Sequence, residues 1–357
     1  LMSDASMGAF VSGGIDSSLV AMEASKFSEN DFQLFTANVT GKYSEYDYAR
    51  QLSHELDLEL KDYSFNPEYF LRDLTKVTWY YETPIVVHSN AIPFSNVSML
   101  ANKSNVKAVL TGEGADELFM GYPQLLTKRY DKLIRAPFNI LDKIYSSIPS
   151  LKRYIYGGGS FGINVLFEKA SQNFTRDLIR EKGLKKLEFL KKSERMDHYL
   201  TIQMLNEGLI SLLWRNDRMG MMHSIESRFP FLDERILEFA INLPIKNKIG
   251  YSSKFHNYKH PFLLDKKIVR YSAKNKLSNN LIYKKKEGFY CYGLGNLNIQ
   301  PDFFNDGFVS DLFKLNNSMQ TQFFSENFDK YHIAKFAALD IWGRLFVLNH
   351  SIDNVQD

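Results

Sequence analysis

The sequence predicts an α/β protein: a parallel sheet with helices on both faces, followed by a mainly helical C-terminal part. Three observations carry this expectation. Over residues 1–125, short apolar runs alternate with helix-patterned stretches at the spacing of β-α-β units. Two of those runs, ending at Val11 and Leu110, lead straight into loops rich in glycine and polar residues, and parallel sheets bind ligands at the carboxyl ends of their strands. Beyond about Gln124 the period-two alternation fades and helical spacing takes over, as in Leu205, Leu209, Leu212 and Leu213.

The elements follow in order. Gly8-Ala9-Phe10-Val11 reads as a first strand, followed by a glycine turn and a helix from Asp16 to about Phe27. Leu34 to Val39 is a second strand and Tyr46 to Leu56 a helix. Leu58 to Phe65 is a third strand, and Pro67 can open the next helix because its missing N–H costs nothing in a first turn. Val106 to Leu110 is β-branched and apolar, a strand that ends at Thr111-Gly112. The expected organisation is an α/β core over residues 1–125 and a mainly helical region over 126–357 that completes the site. Gly157-Gly158-Gly159-Ser160 reads as a loop, since no Lys-Ser/Thr or helix start follows it, and no internal repeat is present.

Composition removes several classes. The 357 residues are 44% hydrophobic and 14% aromatic, enough for a sizeable core and incompatible with a disordered chain. One cysteine, Cys291, excludes a disulfide framework or a thiolate-rich metal site and suits a reducing compartment, so a cytoplasmic location is expected. No apolar run reaches the roughly 18 residues of a bilayer span, so no membrane partner is expected. A net charge of +3 is too small to imply nucleic acid. A first residue of Leu suggests a chain truncated upstream.

The strongest local signal is Ser12-Gly13-Gly14-Ile15-Asp16-Ser17-Ser18, between a strand and a helix. Glycines let the backbone approach a ligand, and successive N–H groups at a helix start make an anion nest. Asp16 would repel a bare phosphate, which points to a bridging Mg²⁺. The plain alternative is a Gly-Gly turn with Asp or Ser as a helix cap. A Walker A loop is excluded, because no Gly-Lys-Ser/Thr occurs there. The second signal, Thr111-Gly112-Glu113-Gly114-Ala115-Asp116-Glu117-Leu118-Phe119, also follows a strand. Its acids are either helix-start charges or, facing the first loop, the rest of an ATP–Mg²⁺ site.

Two further segments are unusually charged. Asp217-Arg218-Met219-Gly220-Met221-Met222-His223-Ser224-Ile225-Glu226-Ser227-Arg228-Phe229-Pro230-Phe231-Leu232-Asp233 places Met219 and Met222 at core spacing among more charges than a buried segment needs. Lys284-Lys285-Lys286-Glu287-Gly288-Phe289 ends a stretch, from Lys246 to Lys286, with 12 Lys+Arg and a single acid, Asp265. Such a run is either a solvated face or an anion site. His223 is expected to pack rather than to titrate in catalysis, and His54-Glu55 lacks the second histidine of a zinc-protease motif.

Together the four segments, in order, resemble the synthetase domain of the asparagine synthetase B family over roughly residues 3–290. The resemblance implies a PP-loop ATP-pyrophosphatase fold and adenylation of a carboxylate, aspartate by default, followed by attack of ammonia to give the amide and AMP. It implies that Ser12, Gly13, Gly14, Asp16, Ser17 and Ser18 hold pyrophosphate and Mg²⁺, with Asp116 as the second metal contact. Val11, Ala37, Thr111 and Gly112 would line the adenine and ribose pocket. Glu113 would serve acyl transfer, and Lys286 would neutralise charge on the phosphates. ATP, Mg²⁺, a small carboxylate and ammonia are the expected ligands, and a homodimer is compatible with the reading.

The family's N-terminal glutaminase domain, with its leading cysteine, has no counterpart in the sequence, so free ammonia or a missing glutaminase domain or subunit is expected. Met120 stands where the family's Phe-Gly-Gly-Tyr has glycine. Tyr251 to Pro261 resembles the family too weakly for its substrate contacts to be transferred. Competing readings are a PP-loop enzyme adenylating an RNA base, which would want a broad basic face, and an amide-forming cyclase or amidotransferase of secondary metabolism or surface polysaccharide. A non-catalytic nucleotide-binding relative is the third.

Overall fold

A computed structural model of the chain describes residues 5–28, 32–39, 44–83, 90–122, 126, 181–252, 262–284, 299–316, 319–320, 322–324, 328 and 330–356. Lys286, Gly288, Phe289, Cys291 and the Gly157–Ser160 stretch lie outside them. Two compact units share the chain: one made of Leu1–Gly112, Ser211–Pro230 and Leu277–Asp357, the other of Glu113–Ile210 and Phe231–Lys276.

The first unit is built on a five-stranded sheet. Its strands are β1 (Met7–Phe10), β2 (Gln33–Asn38), β3 (Leu60–Ser64), β4 (Ala108–Leu110) and β5 (Glu226–Arg228). They lie in the order β3-β2-β1-β4-β5 and every pair is parallel. The order departs from β1 in both directions, so β1 and β4 are neighbours at the point where the strand order reverses. The central strands are apolar at consecutive positions: Ala9, Leu34, Phe35 and Val109 are fully buried. That run, rather than alternation, is what a sheet covered on both faces requires.

Helices α1 (Ile15–Ser25) and α2 (Tyr46–Leu56) follow the first two strands and pack on β1 and β2. Helices α3 (Phe70–Tyr81) and α4 (Ala91–Lys103) follow β3, and α4 packs on β2 and β3. Phe35 and Val109 of the sheet meet Val97 and Ala101 of α4, with Ile225 joining them from just before β5. Phe10 is edge-on to both Phe35 and Phe94. Pro67 opens a 3₁₀ turn that runs into α3, where a missing N–H is harmless.

The fifth strand was not expected from the sequence. Glu226-Ser227-Arg228 has no apolar alternation because β5 is an edge strand with its first residue exposed, and Glu226 and Arg228 pair with each other at 2.8 Å. Pairing with β4 fixes it, extended by Thr111 N–H to Arg228 O at 3.0 Å. Immediately before it, Met219 is fully buried, as its spacing suggested, whereas Met222 is half-buried and accepts from Ser95 Oγ at 3.3 Å. His223 packs against the same serine, Nε2 to Oγ 3.0 Å, and burial holds its imidazole below the usual range.

The chain's C-terminal residues return to this unit. A long helix, Lys330–Phe346, buries Ala338, Ile341 and Leu345 with Leu74, Val77 and Met219, and stacks Phe346 on Trp79. Asp340 on that helix is fully buried, receives Arg344 Nε at 2.6 Å and caps the turn at Val309 N–H, 2.7 Å. No helix of the described residues is long and apolar enough to cross a membrane.

In the second unit a helix over Lys192–Gln203 continues through a π-helical turn at Met204–Leu209. The core of the unit gathers Met120, Leu126, Tyr199, Leu200, Ile245, Ile249 and Leu263. Met120 adopts φ +61, a backbone region that favours glycine, yet its side chain is fully buried in that core. Burial of a large apolar side chain, worth about 1.5–3 kcal/mol, outweighs the roughly 1–2 kcal/mol of left-handed backbone strain.

Candidate active site

The loop after β1 is shaped by its glycines and closed by its serines. Gly13 sits at φ +65, and a Cβ there would lie 2.7 Å from the Ala49 nitrogen, so the first turn of α2 presses directly on it. Only glycine fits that position without strain. Ser12 N–H donates to Ser17 Oγ at 3.2 Å, Gly14 N–H to Ser12 Oγ at 3.3 Å, and Ser17 Oγ to the Gly14 carbonyl at 3.3 Å. These contacts are at the long end of hydrogen bonding, so a charged acceptor would displace them readily. Ser18 is fully buried in the first buried turn of α1, and its Oγ has no hydrogen-bond partner among the described residues. The same is true of Thr111 Oγ1 at the end of β4. Buried hydroxyls left in this state cost free energy until an acceptor or donor arrives.

Strand β4 brings Thr111 and Gly112 alongside the first loop. A Cβ on Gly112 would fall 2.7 Å from Ser17 N and 2.9 Å from Asp16 Cβ, so the absence of a side chain lets the end of β4 touch the start of α1. Val11 extends the sheet by donating to Phe35 O at 2.9 Å, and Ala37, half-buried, sits near the end of β2 opposite Tyr63. Val11, Ser12, Gly13, Gly14, Asp16, Ser17, Ser18, Thr111 and Gly112 thus surround the carboxyl ends of β1 and β4, with Ala37 on the neighbouring strand. Orphaned hydroxyls and a helix start suit a polyphosphate.

Lys284 joins this loop from the far end of the unit, and its role was not foreseen. Its ammonium donates to Ser12 O at 3.0 Å and to Glu45 Oε1 at 2.6 Å, and lies 4.6 Å from the centre of the Tyr48 ring. Its place in a run of lysines was visible; its partners, more than 200 positions away, were not.

In the second unit, a short helix α5 (Ala115–Leu118) follows Glu113-Gly114. Glu113 is half-buried, and Asp116 pairs with Lys266 Nζ at 2.7 Å, a lysine whose side chain is only 3% exposed. Beside them Glu117 is buried and receives a short hydrogen bond from the Tyr122 hydroxyl. Burial, then the Asp116 carboxylate, then that of Glu113 push the Glu117 carboxyl up to about 7, although the Tyr122 hydroxyl pulls the other way. Burial and Glu117 push the Tyr122 phenol upward. Two of the three acids of this loop therefore differ in state: Asp116 is paired with Lys266, and the Glu117 carboxyl is biased towards its protonated form. Neither Lys266 nor Glu117 was assigned a role from the sequence: Glu117 was visible only as one more acid of the motif, and Lys266 meets Asp116 only through the fold. Among the described residues no cluster of three or more His, Cys, Asp or Glu side chains is arranged as a metal site.

Comparison with known proteins shows the family. The asparagine synthase family model matches residues 1–347. The chain is 27% identical over 315 residues to asparagine synthetase [glutamine-hydrolyzing] 1 of Bacillus subtilis, covering 81% of this chain and 47% of that protein. It is 27% identical to asparagine synthetase [glutamine-hydrolyzing] 2 of the same organism, over 82% of this chain and 37% of that protein. It is 22% identical to amidase chry2 of Gibberella zeae, over 81% of this chain and 50% of that protein. The chain thus spans half or less of the length of these relatives. With a match over nearly all of its residues, the chain belongs to the asparagine synthase family.

Proposed function

We propose that the chain forms an amide from a carboxylic acid, aspartate by default, with ATP and ammonia as the other substrates. The carboxylate oxygen attacks the α-phosphorus of ATP, the bond from that phosphorus to the β-bridging oxygen breaks, and pyrophosphate leaves. Ammonia then attacks the acyl carbon, a proton is lost from nitrogen, and AMP departs. The observation that carries this reading is the loop at Ser12–Ser18, where Gly13 and Gly112 let α2 and the end of β4 close directly on the loop and the buried Ser18 and Thr111 hydroxyls lack partners among the described residues.

The residues present fit ATP and its metal. Ser12, Gly13, Gly14, Ser17 and Ser18 offer N–H and hydroxyl donors to the departing pyrophosphate, while Val11, Ala37, Thr111 and Gly112 offer backbone to the nucleoside. Asp16 would offer its carboxylate to Mg²⁺, and the family resemblance assigns Asp116, whose charge is shared with Lys266, as the second metal contact. Mg²⁺ would draw off negative charge as pyrophosphate leaves. Lys286, by the family resemblance, adds a cation to the same end, worth about 2.7–4 kcal/mol for one well-placed contact. Glu113 is assigned to bind incoming ammonium and accept its proton. Ammonia reaches the site free or from a glutaminase domain or subunit.

An ATP–pyrophosphate exchange screen over carboxylic acids, aspartate first, tests the reading and identifies the acid. Exchange that depends on one acid, with amide formed on adding ammonium, supports it. Glu113→Gln should retain exchange while losing amide synthesis. No exchange with any acid, or equal losses in both assays for Glu113→Gln, would contradict the respective assignment.

A further inference from the structure

Lys284 is an expensive residue to bury. Its side chain is 4% exposed, it arrives from the turn after a single-turn helix at Asn279–Ile282, and its charge is spent on groups of the protein itself. Glu45, its carboxylate partner at 2.6 Å, is the N-cap residue of α2, whose first turn presses on Gly13. The same helix holds the segment before Lys284 a second time: Gln51 donates to Ser278 Oγ at 2.7 Å, and Ser278 N–H donates to Glu55 at 3.0 Å. Three segments therefore converge on the glycine loop: α2, the 278–284 segment and the end of β1.

The contact with Ser12 O is the informative one. The peptide between Ser12 and Gly13 is planar and trans, so fixing its oxygen fixes its N–H on the opposite side. Lys284 takes that oxygen at 3.0 Å. Gly13 N–H, turned the other way, donates to none of the described residues, while the N–H groups of Ser12 and Gly14 are engaged within the loop. We infer that Lys284 is a positioning residue: by holding the Ser12 carbonyl against Glu45 it aims the Gly13 N–H into the loop, where that donor meets the pyrophosphate portion of the nucleotide. Lys284 itself touches no reacting atom. The inference rests on the nucleotide-binding reading above and adds a residue to it.

Binding of magnesium pyrophosphate and of AMP, each measured by calorimetry on the whole chain, separates the possibilities. Lys284→Met should weaken pyrophosphate binding by about tenfold or more, the scale of one lost charge-assisted contact, and leave AMP binding within about threefold. Lys284→Arg, which can still donate to both Ser12 O and Glu45, should recover most of the affinity. The double variant Glu45→Gln/Lys284→Met removes both charges together, so it keeps the fold available if the single variant is lost, and it should still bind pyrophosphate weakly. If the unaltered chain binds neither ligand, the nucleotide reading fails. If it binds both and Lys284→Met binds pyrophosphate normally, or loses AMP equally, the positioning role fails alone. Restored affinity in the double variant would overturn it too, since the loss would then come from the Glu45 charge and not from the Ser12 carbonyl.

Discussion

Lys248 should destabilise the protein in which it is buried, and its removal should show by how much. It ends a single-turn helix, Ile245–Lys248, and is 0% exposed, flanked by Ile245 and Ile249 of the second unit's core. Its ammonium has no hydrogen-bond partner among the described residues. Burial pushes the lysine down from 10.5 to about 8, and Asp197 offsets only part of that. At 1.36 kcal/mol per pKa unit, the difference corresponds to about 3 kcal/mol. The sign follows from proton counts. Below about pH 8 the lysine is charged in both states and the folded state carries the whole penalty. Between about 8 and 10.5 the unfolded chain binds more protons, so stability rises with pH, and above that window the penalty is gone. Lys248→Met fills similar volume without charge. It should raise the unfolding free energy by about 3 kcal/mol at pH 7 and by under about 1 kcal/mol at pH 10. Urea titrations followed by circular dichroism at both pH values measure the difference. A variant no more stable at pH 7, or a gain equal at both pH values, would refute the reasoning.

Two other substitutions test packing. Gly121→Ala places a methyl group against Asp116 and Lys266, 2.9 Å from Asp116 Cα, and should lower stability by about 1–3 kcal/mol while loosening the Asp116–Lys266 pair; an unchanged melting temperature would count against that close approach. Asp340→Ala leaves Arg344 with only Phe303 O and Asn305 O and leaves Val309 N–H without its acceptor, so denaturant titration should show a loss of about 1–3 kcal/mol; an unchanged stability would count against these hydrogen bonds.

Three strands of the sheet could be read from the sequence as short apolar runs and a fourth, Leu60–Ser64, despite Lys61 and Asp62, while Tyr46–Leu56 could be read to the residue because its apolar positions keep helical spacing. The strand at Glu226–Arg228 could not, since its membership depends on backbone pairing with β4 and not on its charged side chains. The glycine loop was readable as a sharp turn because two glycines stand between a strand and a helix, and Gly13 does adopt the positive φ such a turn needs. Lys284, Glu45 and Lys266 were not, because their roles exist only as contacts between distant segments. Met120 shows a further limit: its positive φ argues for glycine, and only the core around it explains a methionine.

The central claim is that a carboxylate is activated as its adenylate at the Ser12–Ser18 loop. Incubating the chain with ATP, ammonium and aspartate, or whichever acid the exchange screen selects, labelled with ¹⁸O in its reacting carboxyl group, tests it directly. Attack on the α-phosphorus and later release of AMP predict one labelled oxygen in AMP and none in pyrophosphate. Label in inorganic phosphate, with ADP as the other product, would mean attack at the γ-phosphorus and would contradict the account.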